Sequence, residues 1–384
     1  MLSAGLWIRP EIRFDVTGAV LSSTREKIIV LEPYFGGSHK AFLRGLEKHL
    51  DLDFEFHTLP ARKWKWRMRL AAPYFADKLH KQGHRDEQPG NACILCSTFV
   101  DVAAFRSLAP DWAKPLPLVT YFHENQFAYP VQVDDERDYH FAVTNFTTAL
   151  ASDLIAFNSQ HNLSTFLIGL KDFLKKTPDM KFKGVEHLIC NKSRVLFPGQ
   201  DFEDIDRQEG LRNGNDPVIL WNHRWEHDKQ PEIFFEALYS LDQKGFDFKL
   251  IVAGESFKQS PAVFKQAENL LAKRILHFGH ARSRKEYVEL LRHSDIVVST
   301  ANHEFFGIAV IEAVRAGCRP LLPGRLSYPE LFPAEFLYDA DEDFQEALIS
   351  TLAKGRLSKD NAHELTERFS WNCLADQYRE WLHF

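Results

Sequence analysis

Two carboxylates in the second half of the chain, Glu304 and Glu312, stand eight positions apart with Gly307 between them. The β-branched residues of 295–299 predict a buried strand before them, and the apolar residues of 308–316 predict a short buried helix after Gly307. Free N–H groups at the start of that helix would attract an anion. A diphosphate bound there would bring a sugar near Glu304 and a ribose near Glu312. The alternative is that the two acids only occupy a helix start, where negative charge is favoured in any protein.

Two cations, Arg224 and Lys229, stand five positions apart in the loop after a predicted strand at 218–221. A guanidinium offers a planar fork and an ammonium offers a point charge, so the pair is suited to neutralising a leaving diphosphate. Either residue alone would be interpreted as an exposed loop cation. Because they follow a strand of the same predicted sheet as Glu304, we expect the cations and the acids to share one site.

The first half of the chain carries two weaker signals. Gly36 and Gly37 follow a predicted strand at 27–32, and Ser38 is suited to cap a helix at 40–50. Glycines there would let the backbone approach a phosphate, although a simple tight turn explains them equally well. His123 comes directly after a predicted strand at 116–122, at the end of the strand where parallel sheets bind ligands. It could orient a sugar or hold a proton near neutral pH, or be a bystander.

A third segment, 61–69, interleaves five cations with Trp64 and Trp66. Cations pair with phosphates and aromatic rings stack on bases, so the pattern is typical of a surface that binds RNA. The alternative is a solvated helix face with its tryptophans packed inward. The cations are Arg62, Lys63, Lys65, Arg67 and Arg69.

Composition predicts a folded protein of 384 residues that is large enough for two domains. Hydrophobic residues make up 45% of the chain and aromatic residues 13%, which supports a substantial core. The net charge of −6 argues against a broad surface that coats nucleic acid, but it is compatible with a local basic patch.

The five cysteines form no disulfide framework. Cys93 and Cys96 resemble a metal or redox pair, but their apolar strand pattern favours core thiols. No apolar run approaches the roughly 18 residues of a membrane span. Charged residues interrupt 1–26, so a signal peptide is not expected, and we expect a cytoplasmic protein.

The alternation of short apolar strands with helices predicts two parallel, doubly wound sheets. Residues 1–26 are interpreted as a poorly ordered extension, and 27–198 as the first Rossmann-like domain. A polar linker at 199–216 precedes a second domain at 217–365, and a C-terminal helix at 366–384 is expected to return to the first domain.

Several long blocks resemble the tRNA-queuosine alpha-mannosyltransferase family, and the resemblance covers about 27–384. Arg224 and Lys229, followed by Glu304 and Glu312, also resemble the signature of the wider glycosyltransferase family 4. The blocks are Gly36-Gly37-Ser38-His39-Lys40, Leu59-Pro60-Ala61-Arg62-Lys63-Trp64-Lys65-Trp66-Arg67, Tyr121-Phe122-His123-Glu124-Asn125-Gln126, Asn222-His223-Arg224-Trp225-Glu226-His227-Asp228-Lys229, His303-Glu304-Phe305-Phe306-Gly307 and Tyr328-Pro329-Glu330-Leu331-Phe332-Pro333-Ala334-Glu335.

The resemblance implies a GT-B fold, in which two Rossmann-like domains face each other across a cleft. It also implies transfer of mannose from GDP-mannose to queuosine at the wobble position of tRNA (the tRNA-Asp type), with retention at the anomeric carbon. The alternatives are a lipid, glycan or small-molecule acceptor, a non-catalytic nucleotide-sugar-binding protein, and an epimerase. The oligomeric state is left open, and no membrane partner is expected.

The resemblance also implies roles for individual residues. No cofactor or metal is expected beyond the donor substrate; Asp51-Leu52-Asp53 has the form of a metal motif but lies beside a strand start, away from the inferred cleft. The expected catalytic residues are His123, Arg224, Lys229 and Glu304. The expected donor-binding residues are Gly36, Gly37, Arg224, Lys229, Glu304, Phe306, Gly307 and Glu312, and the expected acceptor-binding residues are Arg62, Lys63, Lys65, Trp66, Arg67 and Asn125.

Overall fold

The computed structural model describes residues 26–83, 92–129, 139–207, 216–256, 260–339 and 344–383. The expectation that 1–26 is poorly ordered falls outside this range, apart from Glu26. Residues 208–215 of the predicted linker also lie outside it.

The first sheet has six parallel strands in the order β2-β1-β3-β4-β5-β6. Its strands are β1 (Lys27–Phe35), β2 (Asp53–Pro60), β3 (Ala92–Ser97), β4 (Leu118–Phe122), β5 (Leu154–Phe157) and β6 (Ser193–Val195). The helices of this half are α1 (Gly37–His49), α2 (Trp64–Lys81), α3 (Val102–Leu108), α4 (Tyr139–Ala151), α5 (Gln160–Lys175) and α6 (Val185–Asn191). Strands β3 and β4 are buried along their whole length, because helices cover both faces of a parallel sheet.

The second sheet also has six parallel strands, in the order β12-β11-β10-β7-β8-β9. Its strands are β7 (Val218–Trp221), β8 (Lys249–Ala253), β9 (Ile275–Gly279), β10 (Ile296–Val298), β11 (Arg319–Pro323) and β12 (Leu337–Tyr338). The remaining helices are α7 (Glu203–Asp206), α8 (Pro231–Gln243), α9 (Val263–Leu270), α10 (Arg284–His293), α11 (Ile308–Arg315), α12 (Tyr328–Leu331), α13 (Phe344–Lys354), α14 (Lys359–Thr366) and α15 (Trp371–Leu382), with short 3-10 turns at His227–Lys229, Ala334–Phe336 and Glu367–Phe369.

Both sheets reverse their winding direction at one strand pair, which creates a crevice at the carboxyl ends of the strands. In the first sheet β1 lies between β2 and β3, and in the second β7 lies between β10 and β8. The loops after β1, β7 and β10 therefore open into crevices where this class of sheet binds ligands.

The two halves meet at these carboxyl ends. Ser159, at the start of α5 in the first half, donates its hydroxyl to the carbonyl oxygen of Phe305 at 2.6 Å. The carboxylate of Glu330 accepts the backbone N–H groups of Gln160 at 2.8 Å and His161 at 3.0 Å. The second half thus caps a helix of the first, and the carboxyl ends of the two sheets face each other.

Helix α15 returns to the first half and packs against α1, as the GT-B prediction expects. Trp371 is buried, with its ring 6.3 Å from that of Phe42. The hydroxyl of Tyr378 donates to the carbonyl oxygen of Phe197 at 2.8 Å. A Cβ atom at Gly45 would lie 2.3 Å from the Trp371 ring, so glycine is required for this close approach. The predicted fold, including the returning helix, is confirmed.

Cys93 and Cys96 are buried thiols of β3, and burial raises the pKa of Cys93 to about 12. Their interpretation as core residues is confirmed. Within the described ranges, no helix has the length and apolar content that crossing a membrane requires.

We expect Trp371→Ala to lower the free energy of unfolding by about 3–5 kcal/mol, because a fully packed ring is replaced by a cavity. Urea denaturation followed by circular dichroism measures the change. Cys373→Ala, on the exposed side of the same helix, serves as the control and should change stability little. A loss below about 1 kcal/mol in Trp371→Ala would mean that the returning helix contributes little to stability.

Candidate active site between the two sheets

Lys229 is the centre of a buried charge cluster in the loops after β7 and β10. Its ammonium nitrogen lies 3.2 Å from Asp228 Oδ2 and 3.5 Å from Glu304 Oε2, and it donates to the carbonyl oxygen of His303 at 2.5 Å. The residue is 5% exposed, so the charge depends on these oxygen partners. The sequence-predicted pair of Lys229 and Glu304 is therefore brought together.

The cluster keeps its acids ionised. Burial alone would raise the pKa of Glu304, but the Lys229 ammonium and the backbone N–H of Phe306 lower it below its ordinary value. Burial would also raise the pKa of Asp228, but hydrogen bonding to His303 and the charge of Lys229 hold that pKa far below its ordinary value. Two carboxylates that stay charged near a buried cation form a polar surface suited to sugar hydroxyls.

Arg224 stands at the edge of this cluster, with half of its side chain exposed. Its guanidinium lies 3.1 Å from Glu226 Oε2. Partial burial would lower the pKa of Arg224, but the neighbouring acids Glu226, Asp228 and Glu304 raise it. Tyr129, from the first half, raises this pKa as well. Arg224 therefore shares the cleft with Lys229 and Glu304 and retains an exposed face for an anion.

Helix α11 begins beside Glu304, as predicted. Gly307 precedes the helix in the left-handed region, at φ 102°. A Cβ atom there would lie 3.2 Å from the ring of Tyr328, so both backbone strain and the close ring favour glycine. The backbone N–H of Phe306 donates to Glu304 Oε1 at 3.3 Å, and the Phe306 ring is buried. Phe306 can therefore contact a donor only through its backbone.

Glu312, on α11, is engaged in an ion pair that the sequence did not predict. Arg284 donates to its carboxylate at 2.5 Å and to that of Asp204 at 2.6 Å. Burial raises the pKa of Glu312, and the Arg284 guanidinium only partly offsets this rise. The structure thus places Arg284 between Glu312 and Asp204, beside the position expected for the donor ribose.

The glycine pair after β1 differs in detail from the prediction. Helix α1 begins at Gly37, and Gly36 rather than Ser38 is the N-terminal cap. A Cβ atom at Gly36 would lie 2.5 Å from Cβ of Ala61, which leaves no room for a side chain. Gly37 is left-handed, at φ 50°. The helix starts one turn earlier than predicted, and His39 lies in that turn.

His39 joins His123 to two acids, the buried Glu32 and the partly buried Glu124. Its Nδ1 atom lies 3.1 Å from Glu32 Oε2 and its Nε2 atom 3.5 Å from Glu124 Oε2. Its ring stacks on that of His123, with centroids 4.0 Å apart. Burial would lower the pKa of His39, but the two carboxylates raise it to about 10. Burial and the neighbouring His39 charge lower the pKa of His123, so the predicted site histidine is neutral.

The predicted acceptor residues lie mostly on one groove. Helix α2 begins after Lys63, whose φ of 51° lies in the left-handed region. The groove, about 400 Å³ in volume, is lined by Leu59, Arg62, Lys63, Trp66, Arg67, Leu70, Ala71 and Tyr74.

Two of the six predicted acceptor residues lie elsewhere. Lys65 is not part of this lining; its ammonium lies over the Trp64 ring, 5.6 Å from the centroid. Asn125 is completely buried, and its amide donates to Asn162 Oδ1 at 2.8 Å and Thr165 Oγ1 at 3.1 Å. Its oxygen accepts the N–H of Ala128 at 2.9 Å. Because these bonds occupy the amide, the expectation that Asn125 contacts the acceptor is corrected: the residue supports the loop after β4.

Several residues of the site could not be predicted from the sequence, because only their contacts in the tertiary structure identify them. His39, Glu124, Asp228 and His303 lie inside the family motifs, and the others lie outside them. No spacing rule pairs a residue with a partner from another element. The missed residues are Glu32, His39, Glu124, Asp204, Asp228, Arg284 and His303.

Residues 27–200 match the tRNA-queuosine alpha-mannosyltransferase N-terminal family, and residues 202–364 match the glycosyl transferases group 1 family. The tRNA-queuosine alpha-mannosyltransferase of Drosophila melanogaster is 34% identical over 361 residues, which cover 92% of this chain and 94% of the fly protein. This chain belongs to the tRNA-queuosine alpha-mannosyltransferase family. It is a hexosyltransferase with the GT-B fold.

More distant relatives support the same fold. The GDP-mannose:cellobiosyl-diphosphopolyprenol alpha-mannosyltransferase of Xanthomonas campestris is 27% identical over 136 residues, 34% of each chain. Sucrose-phosphate synthase from Thermosynechococcus elongatus superposes with a TM-score of 0.66 at 15% identity, covering 93% of this chain and 98% of that one. HepE of Anabaena in complex with UDP gives a TM-score of 0.62 at 14% identity, with coverage of 92% and 98%.

We expect His39→Gln to lower the free energy of unfolding of this protein most at the acidic end of the range from pH 6 to 10. The pKa of His39 is about 10 in the folded protein, above the ordinary value of 6.5, so its stabilising contribution is complete below pH 6.5 and is lost as the pH rises through 10. Urea denaturation of wild type and variant between pH 6 and 10 measures the difference in free energy of unfolding. His187→Gln, at an exposed histidine, is the control. A difference that is independent of pH would contradict the charged state of His39.

Proposed function

We propose that this enzyme transfers mannose from GDP-mannose to queuosine at the wobble position of a tRNA, with retention at the anomeric carbon. The observation that carries the proposal is the pairing of a first half that matches the queuosine-specific family with one buried cluster that brings Lys229 to Glu304. In this proposal residues 27–198 form the acceptor-side domain, 199–216 the linker, 217–365 the donor domain, and 366–384 the segment that returns.

The leaving diphosphate would be stabilised by Arg224, Lys229 and the N-terminus of α11. Bond breaking leaves negative charge on the diphosphate and positive character on the sugar, so fixed cations at the leaving group lower the barrier. These groups supply positive charge without a metal, and we propose that none is required. Gly36 and Gly37 would face the donor phosphates from the first domain.

Glu304 would accept hydrogen bonds from mannose hydroxyls, and Glu312, held by Arg284, would lie at the donor ribose. Neutral His123 can donate and accept a hydrogen bond at once, which suits a sugar hydroxyl. We propose that the acceptor hydroxyl attacks on the face from which the diphosphate departs. Trapping a mannosyl adduct on a carboxylate of this chain would contradict that mechanism.

The acceptor is the point at which rival functions diverge. The Xanthomonas relative acts, by its name, on a lipid-linked acceptor, but it aligns with only 34% of this chain. The match of residues 27–200 to the tRNA-queuosine family and the basic groove at α2 favour RNA. Since a tRNA is the proposed acceptor, we also propose a cytoplasmic location.

The direct test uses labelled GDP-mannose with a tRNA that contains queuosine and with the same tRNA lacking it. We expect label only in the first. A lipid extract is assayed in parallel. Equal labelling of both RNAs, or label in the lipid alone, would defeat the proposed acceptor.

We expect Arg224→Ala to reduce kcat by about 100- to 1,000-fold, as the loss of one preorganised charge at a transition state does. The side chain is 52% exposed, so the thermal midpoint should change little. Arg207, like Arg224, is an exposed arginine that pairs with a glutamate. Arg207→Ala is therefore the matched control and should keep wild-type activity. Unchanged turnover in Arg224→Ala would remove this residue from the leaving-group site.

A further inference from the structure

Helix α2 carries an apolar stripe that the protein leaves exposed. Trp66, Leu70 and Tyr74 follow one another at intervals of four residues, so they share one face of the helix. They are 60%, 53% and 47% exposed, although large apolar side chains are normally covered. The same three side chains line the groove of about 400 Å³, a volume within the range of ligand sites.

Positive charge surrounds this stripe. Arg62, Lys63 and Arg67 line the groove, and no carboxylate lines it among the residues that the structure describes. Arg67 donates to the carbonyl oxygen of Pro60 at 3.3 Å, while its buried Nε atom has no hydrogen-bond partner among the described residues. The overall charge of the chain is −6, so this local excess of cations is a specific feature of the groove.

Helix α2 begins near the active-site cleft. The ring of Trp64, the first residue of α2, lies 6.0 Å from that of Tyr129. The Tyr129 ring in turn lies 5.6 Å from that of His303, the residue before Glu304. An RNA strand whose reacting nucleotide reached Glu304 would therefore have neighbouring nucleotides near the first turn of α2.

We propose that Trp66, Leu70 and Tyr74 form a stacking surface for the unpaired nucleotides beside the modified one, so that the enzyme recognises a single-stranded RNA loop rather than a free nucleoside. The inference rests on the proposed function and names the part of the acceptor that this groove holds. Every base presents a π face to an aromatic ring, and Arg62, Lys63 and Arg67 are placed to pair with the phosphates between such bases.

A nucleic acid fits the groove better than a protein does. An apolar protein surface would need no excess of cations, and duplex RNA would keep its bases away from the rings. Single-stranded RNA matches both the charge and the exposed aromatic faces. A second copy of this chain is the competing occupant, and it is distinguished by mass measurement in solution.

The test measures the affinity of a fluorescent anticodon stem-loop by anisotropy, which requires no turnover. We expect Trp66→Ala and Tyr74→Ala each to weaken binding about 5- to 140-fold, the equivalent of about 1–3 kcal/mol for one lost stack. Trp66→Phe should restore most of the affinity. Ile168→Ala, at another apolar residue 62% exposed but outside the groove, is the matched control and should bind as wild type does.

Steady-state kinetics separates this inference from the proposed function. With queuosine-containing tRNA, both alanine variants should raise KM while the KM for GDP-mannose stays unchanged. With the free queuosine nucleoside, wild type and variants should behave alike. If the wild-type enzyme transferred mannose to no queuosine substrate, the proposed function would be overturned. The stem-loop affinities would still test whether the groove binds single-stranded RNA.

Three results would overturn the stacking surface. The first is unchanged stem-loop affinity in both alanine variants. The second is an equal loss of affinity for duplex RNA of the same length, which would indicate a purely electrostatic contact. The third is a wild-type dimer that becomes monomeric in Trp66→Ala by light scattering, which would assign the stripe to a second copy of the chain.

Discussion

The ion cluster around Lys229 is the interaction on which the second-sheet side of the candidate site depends. An ammonium that is 5% exposed is very costly unless oxygen atoms surround it, and here they come from two loops. Asp228 is its neighbour after β7, while Glu304 and the carbonyl of His303 follow β10. Because β7 and β10 are the adjacent strands at which the winding of the sheet reverses, the fold itself brings these loops together. The cluster ties Lys229, the cation proposed for the diphosphate, to Glu304, the acid proposed for the sugar.

The first half also holds a cation between two carboxylates, but this cation is a histidine. The loop after β1 contributes His39, which lies between the carboxylates of Glu32 and Glu124 and stacks on His123. A charged imidazole next to a neutral one is stable only because both acids are close. His123 is therefore uncharged, and it is a hydrogen-bonding group rather than a second cation. The second half contributes the buried cation Lys229, and the first half contributes the neutral imidazole of His123.

The sequence was sufficient for features that are local. Strand ends, glycine positions and the order of strands and helices follow from periodicity and turn chemistry, so the fold and the positions of Arg224, Lys229 and Glu304 could be predicted. Contacts between side chains of different helices and strands could not be predicted. Arg284 comes from α10 and reaches Glu312 on α11, and nothing in the spacing of either indicates the other.

Two residues with a predicted function also show that the sequence does not determine side-chain contacts. Asn125 and Lys65 belong to motifs of the expected composition, but only packing decides which way a side chain points. Asn125 turns into a buried amide network, and the ammonium of Lys65 lies over the Trp64 ring. Residue type indicated a function for both, but packing buries Asn125, whereas Lys65 stays exposed and its acceptor contact stays a prediction.

The most direct measurement is a crystal structure of the enzyme with GDP-mannose bound. The account predicts the diphosphate between Arg224, Lys229 and the first turn of α11, with the mannose hydroxyls within hydrogen-bonding distance of Glu304. A nucleotide sugar seated away from these loops, or one whose sugar points away from Glu304, would contradict it.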